Sequence, residues 1–237
     1  MRGTIPIWRR ELAAYFRTPA GWIIMALFLV LAGGVFRYAV LEPGQPASLR
    51  AFFGLTWSLL LVLAPAISMR AFSEERRSGT LETLLTAPVA EAGVVAGKFL
   101  AALSFLCLML APTLAYVVVL AAVAEPDPGA VLAGYLGVVL LGMLYLSVGM
   151  LASAATSSQA LAFLGPLCGL VALEIVRGQA GAFPPRVAEI VYAVSPSLRT
   201  LDFAKGVIDT AHVAFFLVTS FWFLAATTLL LHARRWR

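Results

Sequence analysis

Six continuous apolar runs of about 20 residues decide what this chain can fold into. They lie near residues 21–40, 51–69, 99–123, 131–153, 160–176 and 211–231. An α-helix rises about 1.5 Å per residue, so each run is long enough to cross a hydrocarbon layer of roughly 30 Å. In lipid only a helix or a closed barrel satisfies its own backbone. The runs are continuous and do not alternate, so the expected fold is an all-α membrane protein with six transmembrane helices. The fifth run is short and carries Gly165, Pro166 and Gly169, which blurs its far edge. Of the 237 residues, 61% are hydrophobic and 12% are charged. That is about half the charge of a soluble globular domain, which excludes a soluble enzyme. The 19 Gly and 13 Pro form no period, which excludes a collagen-like chain.

Orientation follows from basic residues near the run ends. Arg2, Arg9, Arg10 and Arg17 precede the first run. Arg70, Arg76, Arg77 and Lys98 lie in the second loop, and Arg234, Arg235 and Arg237 follow the last run. Those are 11 of the 17 Lys and Arg, all on one side if the runs alternate. Both termini are therefore expected in the cytoplasm. The net charge of +5 then points to an anionic lipid surface, with no nucleic acid as partner. The first run lacks a small-residue cleavage site followed by a soluble domain, so it reads as a retained anchor.

Three segments outside the spans carry information. In residues 1–19, Ile5, Trp8, Leu12, Tyr15 and Phe16 recur at helical spacing, with Arg9, Arg10 and Arg17 facing away. This predicts an amphipathic helix in the inner membrane interface, against the plainer reading of a basic stretch beside a membrane. Residues 70–98 form the one cytoplasmic loop long enough to build structure. Glu74 and Glu75 stand against Arg76 and Arg77, Gly79 breaks the chain, and a short turn of Thr80, Leu81, Glu82, Leu84 and Leu85 ends at Pro88. A capped apolar turn suits a docking element better than a solvated hairpin. In residues 178–210, Val187, Ile190, Val191 and Val194 repeat at helical spacing, as do Leu198 and Leu201. Pro196 divides two short outer helices, with Ser197 as an expected N-cap and Thr210 as a cap for the last span.

Sites of chemistry are scarce. Gly93, Gly97 and Lys98 imitate part of a phosphate loop, but three residues separate the glycines where four are needed, and Phe99 follows the lysine. His212 and His232 sit at opposite ends of the last span and cannot share a metal. Cys107 and Cys168 lie in apolar runs and read as inert buried residues. Glu174 is the one acid within a run; Arg37 lies at similar depth and is the expected partner, with a substrate role as the alternative. Pro65, Pro112 and Pro166 should bend their helices.

The stretch from Arg70 to Lys98 resembles the hallmark segment of ABC type-2 transporter permeases. Arg70, Glu75, Arg76, Gly79, Thr80, Leu81, Glu82, Pro88, Gly97 and Lys98 occupy the places of that family's pattern. Gly206, Val207, Ile208, Asp209 and the Arg235-Trp236 ending are similar to its gliding-motility-associated, GldF-like branch. The resemblance implies one permease domain over residues 1–237, in a bacterial inner membrane. It implies partners: two copies of a cytoplasmic ABC ATPase, a second permease subunit (the same chain or a related one), and an auxiliary periplasmic-facing protein. ATP and Mg would sit on the ATPase, with no cofactor on this chain. The 70–98 loop would be the coupling helix, with Glu74, Glu75, Arg76, Arg77 and Glu82 for charged contacts and Leu81, Leu84 and Leu85 for a groove. Trp8, Arg9, Arg10, Leu12, Tyr15 and Arg17 would belong to the interface helix, and residues 178–210 to a re-entrant segment. The family does not fix the substrate. An alternative is a subunit that drives an external partner and moves nothing through itself.

Overall fold

The computed structural model describes residues 4–41, 48–80 and 90–235, and its regular structure there is helical throughout. Helix α1 (Thr4–Arg17) is followed by α2 (Pro19–Val35), which widens into a π-turn at Phe36–Val40. Then come α3 (Arg50–Ser68) and α4 (Arg70–Arg77), nearly one rod, and α5 (Glu91–Leu110). A tight turn at Ala111–Thr113 leads into α6 (Leu114–Val123). The longest helix, α7 (Pro128–Ala155), precedes α8 (Gln159–Gly178), α9 (Pro185–Val194), α10 (Pro196–Ala204) and α11 (Thr210–Arg235). Six stretches are long and apolar enough to cross a membrane: Pro19–Val40, Arg50–Arg77, Glu91–Val123, Pro128–Ala155, Gln159–Gly178 and Thr210–Ala233. They contain the six runs of the sequence, extended by polar helical turns that hydropathy does not count.

Proline and cap chemistry explain several boundaries. Pro112 sits in the tight turn that breaks the third span into α5 and α6, since its ring removes a helical donor. The Asp127 carboxylate accepts from Gly129 N at 2.9 Å and starts α7; the Ser158 hydroxyl accepts from Leu161 N at 3.4 Å and starts α8. Two expected caps move by one or two residues. Ser195 holds the N-cap position before α10, and Ser197 lies inside the helix. The carboxylate of Asp209, not Thr210, accepts from Ala211 N at 2.8 Å. Between α10 and α11, Gly206 takes φ +87°, a conformation that side chains rarely adopt, and a Cβ there would stand a tight 3.2 Å from the Ala130 backbone.

Helix α7 is the hub. Two thirds of its most apolar window (67%) is buried, against 22% for the first span and 17% for the fifth and the sixth. Its small residues let neighbours come close: a Cβ on Gly134 would meet the Phe53 ring of α3, one on Gly137 Phe203 of α10, and one on Gly149 Ser68 of α3. Close approach through small residues is how helices gain packing energy where lipid offers no hydrophobic drive. An aromatic layer adds to it: Phe36 stacks on Tyr116 at 4.6 Å, Phe53 meets Tyr135 edge-on at 5.4 Å, and the Tyr135 and Thr113 hydroxyls share a hydrogen bond of 2.9 Å. The cysteines correct an expectation. Cys107 and Cys168 are both exposed on the helix surfaces, because these helices are apolar all round and hydropathy does not say which side faces the bundle.

Candidate functional site

The charged residues that the sequence scatters over three segments meet at one end of the bundle. Lys98, near the start of α5, is 3% exposed and places Nζ 2.8 Å from Glu75 of α4 and 3.2 Å from Glu11 of α1. Its ammonium also lies 5.3 Å from the centre of the Phe72 ring. Arg10 closes the outside of the cluster, 2.7 Å from Glu11 and 3.5 Å from Glu75. The hydrogen bond to Glu11 raises the Arg10 pKa above its ordinary value. A compact ammonium with three donors suits this junction, where it binds two carboxylates from different helices. So the Gly97-Lys98 pair is structural: the glycine admits α1, whose Ile7 side chain and Thr4 carbonyl lie about 3.0 Å from where a Cβ would stand, and the lysine fastens it.

Helix α1 is docked on the protein along its length. The Trp8 indole donates to Ser104 Oγ at 3.0 Å, and the Tyr15 hydroxyl donates to the Ile67 carbonyl at 3.0 Å. Tyr15 stacks on Phe105 at 4.8 Å, and burial pushes its phenol above the ordinary range. Leu12 packs partly buried against the core, while Arg9 and Arg17 face outward as expected. Ile5 faces outward too, and Ile7 takes the buried place. Glu11, which sequence reasoning passed over, is the key acid of the helix. Its signal was its position one turn after Ile7 and Trp8, on the docked face.

Helix α4 carries the other half of the expected coupling residues. Glu75 is turned inward to Lys98, and Arg76 donates to the Ala154 carbonyl at 3.2 Å, so neither stands simply open to an outside partner. Glu74 pairs with Arg70 at 3.2 Å on the surface, and Arg77 is exposed. At the α3–α4 junction the Ser153 hydroxyl accepts from Phe72 N at 3.0 Å and Ser73 N at 3.1 Å, and donates to the Met69 carbonyl at 2.8 Å. We expect Ser153→Ala to strand these buried groups and lower stability by about 1–3 kcal/mol, read as a fall in thermal midpoint in detergent. After α4, Gly79 turns the chain with φ +73°, and Thr80 shares a 2.8 Å hydrogen bond with Ser78. Leu81, Glu82, Leu84, Leu85 and Pro88 lie outside the described residues. At the same end, His232 of α11 lies 2.9 Å from Glu91 of α5.

Toward the opposite end is a second polar group. A cavity of about 240 Å³ between α3, α7, α8 and α10 is lined by Trp57, Ser58, Tyr145, Glu174, Arg177 and Ser197, among others. Here the expected pairing of Arg37 with Glu174 is corrected. Glu174 accepts from Arg177 at 2.8 Å, one turn along its own helix, and from Ser197 at 3.0 Å. Arg37 lies exposed near the Tyr38 ring. A partner at i+3 needs no tertiary positioning, and it wins over one on another helix.

Comparison with known proteins agrees with the geometry at the level of family. The family model for the ABC-2 family transporter protein matches residues 5–229. No curated protein matches the chain.

Proposed function

This chain belongs to the ABC-2 transporter family, and from that premise we propose that it is the permease half of an exporter driven by separate ATPase subunits. The family supplies the membrane component and is not itself the ATPase. The six apolar helices make this a multi-pass membrane protein. In the proposal the end bearing α1 and α4 faces the cytoplasm of a bacterial cell, in line with its excess of Arg and Lys.

The observation that carries the reading is the Lys98 junction. Helix α4 is joined to the 81–89 stretch through the turn at Gly79, and Lys98 bonds α4 through Glu75 and α1 through Glu11. A push on that stretch by a soluble motor would move α4, α5 and α1 together, because buried Lys98 of α5 holds an acid of each of the other two, and α3 would follow as it runs on into α4. Leu81, Leu84 and Leu85 would fill the motor's groove, with Glu82 and Arg77 at its rim. ATP and Mg would bind the motor. Two permease chains would form the pathway, and the likeness to the gliding-motility branch would extend the assembly to an external auxiliary protein.

The test is co-purification of the chain with its ATPase from the native host. Leu84→Asp places a charge in the proposed groove contact and should abolish recovery of the ATPase, while the permease remains in the membrane at its usual level. Recovery of the ATPase with Leu84→Asp at the wild-type level would sink the assignment. Substrate uptake by inverted vesicles then separates export from the alternative, in which ATP-driven motion acts on an external partner and nothing crosses.

A further inference from the structure

Helices α8 and α11 both pack on α7, and a groove of about 470 Å³ runs between them with α7 as its floor. That volume falls within the roughly 300–1,000 Å³ of small-molecule sites. Leu144, Val148, Leu151 and Ala155 form one stripe along the floor. At about 1.5 Å per residue the stripe is about 16 Å long, close to half of a hydrocarbon layer of roughly 30 Å. Glycine makes the room: a Cβ on Gly165 or Gly169, both in the α8 wall, would meet nothing within 4 Å.

The chemistry of the groove selects its occupant. The one side-chain hydroxyl in the lining, Thr219, donates to the Phe215 carbonyl of its own helix at 2.7 Å. Among the described residues of the lining, a polar ligand would find no free side-chain donor and only the lone pairs of Thr219 as acceptor. The shape selects further. Val194 and Pro196, at the corner between α9 and α10, line one end of the groove, and Ala155, the last residue of α7, lines the other. A transmembrane helix about 10 Å across would need the groove to continue past that corner. A single flexible chain of half-bilayer length needs only the open end.

We propose that this groove seats one acyl chain of a bilayer lipid, drawn from the leaflet in which α7 ends, with its methyl end against Val194 and Pro196. The seat goes beyond the transport reading and requires only that the helices span a bilayer.

The chain is reconstituted in phosphatidylcholine vesicles that contain a trace of phosphatidylcholine with a diazirine at the end of one acyl chain. The vesicles are dissolved in excess detergent, washed and irradiated, and the label is mapped by mass spectrometry. Washing strips loosely held lipid, so label should concentrate at the groove, Val194 and Pro196 included, over Val118 and Leu229, which are exposed on α6 and α11. The double variant Gly165→Leu, Gly169→Leu fills the open space and should reduce groove labelling about tenfold, the factor that about 1.4 kcal/mol of affinity makes, with an unchanged thermal midpoint. Equal labelling at Val118 and Leu229 would overturn the proposal in the wild-type chain alone, whatever the variant does. So would labelling that the double variant leaves intact. Spontaneous disulfides between copies carrying Ala152→Cys, with Cys107 and Cys168 replaced by Ser, would show a partner helix in the groove and overturn it as well. No ATPase or nucleotide is present, so a negative result here leaves the coupling assignment standing, and the reverse holds too.

Discussion

Replacing Lys98 by methionine should destabilise this protein by about 3 kcal/mol and disconnect α1 from α4. Removing one partner of a buried ion pair costs about 3–5 kcal/mol, because the remaining charge is left without its counterion. The lower end applies here: Glu11 and Glu75 keep 21% and 18% of their side chains exposed, so water screens part of the loss. Arg10 stays beside both carboxylates but is 58% exposed, and it contributes little by itself. Thermal unfolding in detergent measures the effect. The triple variant Lys98→Met, Glu11→Gln, Glu75→Gln separates two explanations. If the cost is stranded charge, the triple variant recovers most of the stability. If the cluster also carries motion from the 81–89 stretch into the bundle, transport stays lost in the stable triple variant. A Lys98→Met chain that melts with the wild type would sink the junction.

This junction marks where sequence reading stopped. The six spans were legible because crossing lipid imposes a length and a composition on each segment independently of every other segment. The pairs Lys98–Glu11 and Lys98–Glu75 join residues 87 and 23 positions apart, and no local rule brings them together. The Gly97-Lys98 pair, which the spacing excludes as a phosphate loop, turns out to carry a tertiary contact that no local pattern announces. Glu174 failed for the opposite reason. Its partner was local, Arg177 at i+3, and a search for a charge at equal depth overlooked the helix's own next turn. Which faces of the spans are buried was also not legible. Cys107 and Cys168 were misplaced because burial within an apolar helix is set by neighbours, not by period.

The same logic gives the second large effect, at Gly134. A Cβ there would lie 2.1 Å from Cε2 and 2.4 Å from Cζ of Phe53. The ring has little freedom to yield. It is 1% exposed and held edge-on by Phe52 and Tyr135, with centroids 5.4 Å away in each case. Gly134→Val must therefore push α3 off α7, and overpacking of this kind costs about 1–3 kcal/mol, occasionally more. The loss should reach about 3 kcal/mol here, because two γ-methyls follow the clashing Cβ and no flexible group gives way. Gly142 provides the internal contrast. A Cβ there meets only Leu106 Cδ2 within 2.2 Å, and the rest of that side chain lies at 3.6 Å or beyond, so a methyl end can rotate aside. Gly142→Ala should cost well under 1 kcal/mol, since replacing a helical glycine returns about 1 kcal/mol of backbone entropy. Gly34→Val, where nothing lies within 4 Å, controls for β-branching. Thermal midpoints of the three variants in one detergent should rank Gly134→Val far below the other two. Pairing Gly134→Ala with Phe53→Leu should recover part of the loss caused by Gly134→Ala alone, because it removes the ring the methyl strikes. Equal midpoints for Gly134→Val and Gly34→Val would mean that α3 and α7 do not meet face to face at this glycine, and that the hub assigned to α7 is misplaced.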